Sequence, residues 1–451
     1  MQAKTNRLMG ALLSAVTAFA LVQSPTVKAV PSYARQTGLA CAVCHTVYPA
    51  LTTFGRLFKL NGYTLTNLKQ VVQMPNQTAP AMSINQAFPL SVMLQASSNV
   101  VDKPLAGQQN PDVNFPQQLS LFLAGEITPH LGTFMQMTYE QASGSIGMDL
   151  ADIRYANQAQ LGSTDVTWGI TLNNGPSIED LWNSTPAWGF PFFGSGTAPG
   201  PAAGPFMASD AIQTNSVGIG PYAMFGQHLY ATVSVYRTAN QGSDPPGQKN
   251  AALQGVDPYW RVAWNQDSGD HAWEIGTFGF DAEYEPDGAG PVSDKYTDIG
   301  ADAQFQMYRG PHIFELRGNY IHESRTFDAT AVDHRNNDVS FLNINGDWYY
   351  ERMIGLSVGY FRTWGRSDCQ LYNPDGGGGC AAPDAETGSR TGSPNTDGEV
   401  LEVDYLPWAN TKLMAQYTLY NEFNGSSSNY DGAGRDASDN NTFLMHLMLA
   451  F

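Results

Sequence analysis

Cys41-Ala42-Val43-Cys44-His45 is the one short string in this sequence whose residue types and spacing name a chemistry. Two thiols three positions apart share one helical turn, so both can bond the vinyl groups of a single porphyrin. The adjoining imidazole then faces the iron. With 4 Cys and 8 His in 451 residues, such a string rarely arises by chance. The competing readings are a redox dithiol or half of a zinc site, but no second Cys pair lies nearby to complete a tetrahedral set. The pattern predicts one covalent c-type haem on Cys41 and Cys44, with His45 as proximal iron ligand. No histidine lies between His45 and His130, so a distal ligand from the same small module would be Met74 or Met82. A thioether there raises the reduction potential relative to a second imidazole, although packing explains a methionine equally well.

The elements around the motif are short. Phe54, Leu57 and Phe58 recur at helical spacing, and Gly62 is placed to end that helix. Its apolar face would cover the haem. Arg35, Arg56 and Lys59 are candidates to pair with the propionates, with solvated surface as the plainer reading. Ahead of the module, Lys4 and Arg7 precede an apolar stretch over 8–22, followed by small residues. This is the layout of a signal peptide over 1–29, cleaved after Ala20 or Ala29. Export permits disulfides and haem attachment outside the cytoplasm.

Several residues about the motif form a familiar set: Ala34-Arg35-Gln36-Thr37-Gly38-Leu39-Ala40, Cys41 to His45, Pro49, Leu51, Phe54-Gly55-Arg56, Phe58-Lys59 and Gly62-Tyr63. Over these thirty or so positions the chain resembles the fused monohaem cytochrome–porins, outer-membrane cytochromes of neutrophilic and acidophilic iron-oxidising bacteria. The resemblance implies a haem module over 30–87, on the periplasmic side of a barrel over 88–451 or inside its lumen as a plug. It also implies electron transfer from extracellular Fe(II) to a periplasmic c-type cytochrome or other soluble carrier, an iron(II):cytochrome oxidoreductase activity.

The rest of the chain carries its own pattern. From residue 88 onward, segments of period-2 apolarity recur: 88–100, 117–127, 133–141, 148–157, 164–172, 212–225, 229–237, 258–265, 271–282, 297–308, 312–321, 339–348, 353–364, 399–406, 411–421 and 441–451. Each is about the length of a tilted membrane strand. Sixteen is even, and closure leaves no edge in lipid. Connections alternate long and short, with 142–147 the one brief member of the long set. Bacterial barrels alternate in this way. Phe443, Met445, Leu447, Leu449 and Phe451 share one face of the last strand, which resembles the terminal strand read by barrel-insertion machinery. Alternation puts Ile299, Ala301, Ala303, Phe305, Met307, Phe314, Leu316 and Tyr320 toward lipid. Asp302, Gln304, Gln306, Glu315, Arg317 and Asn319 then face the lumen, as an ordinary wet interior. A distal haem ligand reaching in from this wall, or a five-coordinate iron, stays open beside Met74 and Met82.

Two outer loops stand out. Residues 173–211 hold Trp182, Trp188, Phe190, Phe192 and Phe193 among Pro and Gly, which predicts a loop packed near the haem module. Cys369 and Cys380 predict a disulfide closing a second loop. Composition sets the remaining limits. No apolar run beyond the first 25 residues approaches the ~20 of a spanning helix, and 12% aromatic content spread along the chain argues against disorder. A net charge of −18 excludes a broad nucleic-acid surface. The segments assigned outside hold 25 acids and 8 bases, which predicts an acidic outer rim. The expected fold is therefore all-β: a 16-stranded outer-membrane barrel with an α-helical monohaem plug. The rival functions are a solute porin with a haem plug or gate, and an electron conduit to a different external donor or acceptor.

Overall fold

The computed structural model describes residues 32–65, 71–72, 84–85, 88–141, 144–183, 189–209, 212, 215–239, 252–286, 292–374 and 378–451. The signal-peptide expectation over 1–29 lies outside these residues, as do Met74, Met82 and Trp188.

Sixteen antiparallel strands close on themselves. In chain order they are β1 Leu90–Val101, β2 Asp112–Thr128, β3 Leu131–Glu140, β4 Ser145–Leu161, β5 Thr164–Asn173, β6 Ser216–Phe225, β7 Leu229–Thr238 and β8 Asp257–Asp267. There follow β9 His271–Glu285, β10 Asp294–Arg309, β11 His312–Thr326, β12 Asn336–Tyr350, β13 Ile354–Gly365, β14 Thr396–Trp408, β15 Thr411–Glu422 and β16 Thr442–Ala450. Closure runs from β16 to β1, with Thr442 opposite Val101 and Ala450 opposite Met93. All sixteen expected segments are present. Several extend further than expected, β2 and β4 to 17 residues each.

The alternation decides which face is which. On β10, Ile299 is 56% exposed, whereas Asp302, Gln304 and Gln306 are buried. On β11, Leu316 is exposed beside buried Glu315 and Arg317, and Asn319 is half-buried. Phe443 and Phe451 face outward from β16 and its end. Short turns such as 129–130, 162–163, 310–311 and 409–410 gather at one end, and the long connections at the other. The connection after β3 spans only 141–144, so the brief outer turn persists.

The lumen holds buried sets of ion-paired side chains. Arg261 meets Asp180 at 3.3 Å, Glu274 at 2.6 Å and Asp302 at 2.8 Å, all fully buried. Arg154 meets Asp152 at 2.5 Å. Lys412 meets Glu402 at 3.0 Å and Asp404 at 2.9 Å. These buried cations each have carboxylate partners, as low-dielectric surroundings favour, while Asp257 and Asp298 are buried with one carboxylate oxygen left unpartnered. This corrects the purely external rim. Among its acids, Glu179, Asp180, Asp257, Asp294, Glu323, Asp368 and Asp431 are buried. Carboxylates accept backbone N–H groups well, and Asp294 takes those of Asp328, Ala329 and Thr330, so part of the acidity braces loops and lumen. Cys369 and Cys380 form a disulfide in the connection after β13, with their Cα atoms 5.0 Å apart.

Candidate cofactor site in the barrel lumen

Residues 32–65 run through the lumen as three short helices: α1 Ser32–Thr37, α2 Cys41–Cys44 and α3 Thr53–Leu60. Local signals explain each boundary. Thr52 caps α3, its Oγ1 accepting from Gly55 N at 3.1 Å. The same hydroxyl donates to Val43 O, and Thr52 N donates to Cys44 O at 2.9 Å, tying α3 to α2. Gly55 allows this approach, because a Cβ there would lie 2.2 Å from Cys44 O. At the other end Tyr63 N donates to Phe58 O and Gly62 N to Lys59 O, with Gly62 at φ +67°. That pair of bonds is a Schellman closure, at the glycine the sequence marked for it.

The barrel wall holds this segment on several sides. Tyr33 donates to Thr133 O at 2.6 Å and Gln36 to Ala124 O at 2.8 Å. Tyr63 donates to Asp152 at 2.6 Å, and Tyr222 to Leu60 O at 2.8 Å. Gly132 presses on the turn after α3, its would-be Cβ 2.2 Å from Gly62 O. Val47 packs with Ile313 and Tyr349. The aromatic outer loop does fold inward onto α3. Trp182 lies under the Arg56 guanidinium at 3.5 Å, and Lys59 donates to Asp180 O at 2.7 Å and Asn183 Oδ1 at 2.9 Å.

Those contacts correct the solvated-surface reading for Arg56 and Lys59, which are buried, while Arg35 is exposed. Arg56 is committed to Leu51 O and Gln306, each at 2.8 Å, and Lys59 to the loop. Arg35 donates to Leu90 O. α3 is enclosed by the barrel, so its two cations bind the wall and the inner loop. Burial pushes Lys59 down to about 7 and Arg56 to about 10.

Between the segment and the wall lies a cavity of about 510 Å³, lined by Cys41, Cys44, His45, Leu51, Phe54, Phe58, Phe122, Phe134 and Trp408 among others. Interiors are otherwise close-packed, and this volume falls within the range of ligand pockets. Phe54 and Phe58 face it as expected, while Leu57 packs instead against the cluster containing Trp182 and Tyr222. The turns 351–353 and 407–410 also line it, with Ser91 and Met93 near the start of β1 and Met448 and Ala450 near the end of β16. The cavity therefore sits at the short-turn end of the lumen.

Cys41 and Cys44 are free thiols at the two ends of α2, on the cavity with His45. His45 Nδ1 is buried without a hydrogen-bond partner. Burial pushes the imidazole pKa down, the carbonyls of Ala50 and Pro49 working in the opposite sense. Burial also raises the Cys44 thiol to about 11. Among the described residues the one cluster with metal-ligating geometry is Asp180, Glu274 and Asp302, so no zinc set forms on the cysteines. A flat, largely apolar group bonded through both sulfurs, with a metal to engage His45, satisfies every one of these features. Three further cavity residues, Met93, Met353 and Met448, were passed over in the sequence. Their signal was alternation, since Met93 and Met448 occupy lumen-facing positions of β1 and β16.

No family model and no curated protein matches the chain. Among solved structures it is similar to the outer-membrane channel DcaP of Acinetobacter baumannii, at 11% identity and TM-score 0.48, covering 80% of this chain and 96% of that one. It is also similar to Salmonella typhi OmpF, at 13% identity and TM-score 0.46, covering 81% and 98%. The anion-selective porin from Comamonas acidovorans gives 13% and 0.45, covering 80% and 98%. The barrel stands on its own ladder of sixteen strands: the chain is a closed antiparallel β-barrel with a helical segment in its lumen.

Proposed function

We propose that this chain resides in an outer membrane and carries one covalent c-type haem in its lumen, through which electrons from extracellular Fe(II) reach a periplasmic carrier. The single observation that carries the reading is the apolar cavity on which Cys41, Cys44 and His45 converge. Cys41 and Cys44 would hold the group by thioether bonds and His45 would ligate its iron. Such a haem supplies a one-electron couple, which matches a donor that gives up one electron in passing from Fe(II) to Fe(III).

The chain's residues have three tasks. Phe54, Phe58, Phe122 and Phe134 exclude water from the cavity, lowering the local dielectric and so setting the potential. The turn residues at the short-turn end, where Glu351, Arg352 and Trp408 line the cavity, offer a soluble carrier its approach from the periplasm. Exposed outer-loop acids such as Asp102, Asp328 and Asp333 draw cations. A donor held at the rim would stand most of a hydrocarbon core of about 30 Å away, so Fe(II) would have to pass the inner loop packed on α3 to deliver its electron. The test is an anaerobic mixing of the purified, haem-loaded protein with Fe(II), following the reduced haem bands; unchanged bands would sink this reading.

The porin-like barrel favours a second reading, a solute porin in which residues 32–65 form a plug or gate. Liposome swelling by small sugars, with rates equal in wild type and Cys44→Ser, would support it over electron transfer.

A further inference from the structure

We propose that the sixth ligand of the iron is a thioether from the barrel wall, supplied by the pair Met93 and Met448. This rests on the reading that Cys41 and Cys44 carry a haem. Both methionines line the cavity shared by Cys41, Cys44 and His45, and both are nearly fully buried, at 3% and 5% exposure. They stand on paired strands. Gln95 is opposite Met448 and Met93 opposite Ala450, so the two side chains are diagonal neighbours on the lumen face.

Their surroundings single them out. Of the other lumen-facing residues of β1, Ser91, Gln95, Ser97 and Asn99 are polar and only Val101, at the far end, is apolar. At the depth of the cavity this polar row is interrupted by two soft sulfur donors, a ligand type that suits haem iron. Elsewhere the helical segment is in direct contact with the wall. α1 bonds to the ends of β2 and β3, and Val47 packs on β11 and β12. Arg56 reaches Gln306 on β10. The sector formed by β16 and β1 is bonded to the segment through Arg35 on Leu90 O, and beyond that bond Met93 and Met448 border the cavity. Met93 is also held: Gln95 Nε2 donates to its Sδ at 3.8 Å, and Gln95 Oε1 is paired with His446 Nε2 at 3.0 Å. That second bond and the stacking on Phe193 at 4.2 Å hold the nearby His446 imidazole, which is not among the residues lining the cavity. Met353 touches the cavity too, but from a turn and 41% exposed.

The test uses the full, haem-loaded chain. Met93→Leu, Met448→Leu, the double variant and Met353→Leu are compared by the weak long-wavelength sulfur-to-iron absorption band of the ferric protein and by midpoint potential. One single variant and the double variant should lose the band and shift the potential downward, with Met353→Leu unchanged. Because the double variant can fail to fold, Met93→His and Met448→His provide a gain of signature: one of them should convert the spectrum to that of a bis-imidazole haem. A band that survives in the double variant, or that is absent from wild type, overturns the proposal. So does a band lost only on changing Met74, Met82 or Met353. Haem retained on denaturing gels separates these outcomes from failure of the haem reading itself, in which wild type would carry no covalent haem.

Discussion

Replacing Arg261 by Met should release the inner loop from the barrel wall. Its guanidinium lies within 3.3 Å of three carboxylates. Glu274 and Asp302 belong to β9 and β10 and are fixed by the sheet, whereas Asp180 belongs to the 174–215 connection. Without the cation, three buried carboxylates face one another, and only Asp180 sits on an element free to leave. Removing one partner of a buried ion pair costs about 3–5 kcal/mol, which is on the order of 100- to 3,000-fold in the ratio of docked to undocked loop. Trp182 on Arg56 and the Lys59 bond to Asp180 O oppose departure, so the lower figure is the working expectation. In planar bilayers the variant should show larger and noisier conductance, and limited proteolysis should cut within 174–215. Arg261→Lys should restore little, because one ammonium cannot reproduce the fork that meets all three acceptors. A folded variant with unchanged conductance and unchanged proteolysis would refute the assignment of Arg261 as the pin.

Further outcomes follow from the same contacts. Gly132→Ala should undock the helical segment at a cost of about 1–3 kcal/mol of overpacking, since its Cβ would meet Gly62 O at 2.2 Å; the check is a shifted haem spectrum with normal barrel mobility on gels. Tyr63→Phe should weaken the same docking by about 1–3 kcal/mol, because the hydroxyl donates to buried Asp152 at 2.6 Å; a thermal melt of the haem bands reads it. Lys59 has a folded pKa of about 7 against 10.5 unfolded. The unfolded state therefore binds more protons between those values, and stability should rise with pH through that window. Lys59→Met should flatten the rise, as measured by the melting midpoint against pH. Fe(II) held in a chelate too bulky for the outer mouth should reduce the haem far more slowly than aqueous Fe(II), as stopped-flow absorbance would record.

The barrel was legible because its constraint is local. A strand with lipid on one side and a polar lumen on the other must alternate, as Leu316 does against Glu315 and Arg317. Strand ends were less legible. β4 runs on through Asn157, Gln158 and Gln160, a polar run that breaks the alternation, and β2 begins at Asp112 although Pro116 falls within it. The Cys41 to His45 string and the closing Gly62 were visible because each needs only neighbours in sequence. The ion sets were not: Arg261 finds Asp180 and Asp302 across 81 and 41 positions, and no periodicity encodes such pairings. For the same reason Arg56 and Lys59 read as surface or propionate partners when the fold encloses them. Met93 and Met448 are adjacent only because the last strand closes on the first.

The central claim is a haem in this cavity that takes an electron from Fe(II). An anaerobic titration of the haem-loaded protein with Fe(II), in vesicles that expose the long-loop end, tests it most directly. The account predicts full conversion to the reduced haem bands at one Fe(II) per haem, abolished in Cys44→Ser. Bands that respond to dithionite but stay oxidised under excess Fe(II) would contradict it.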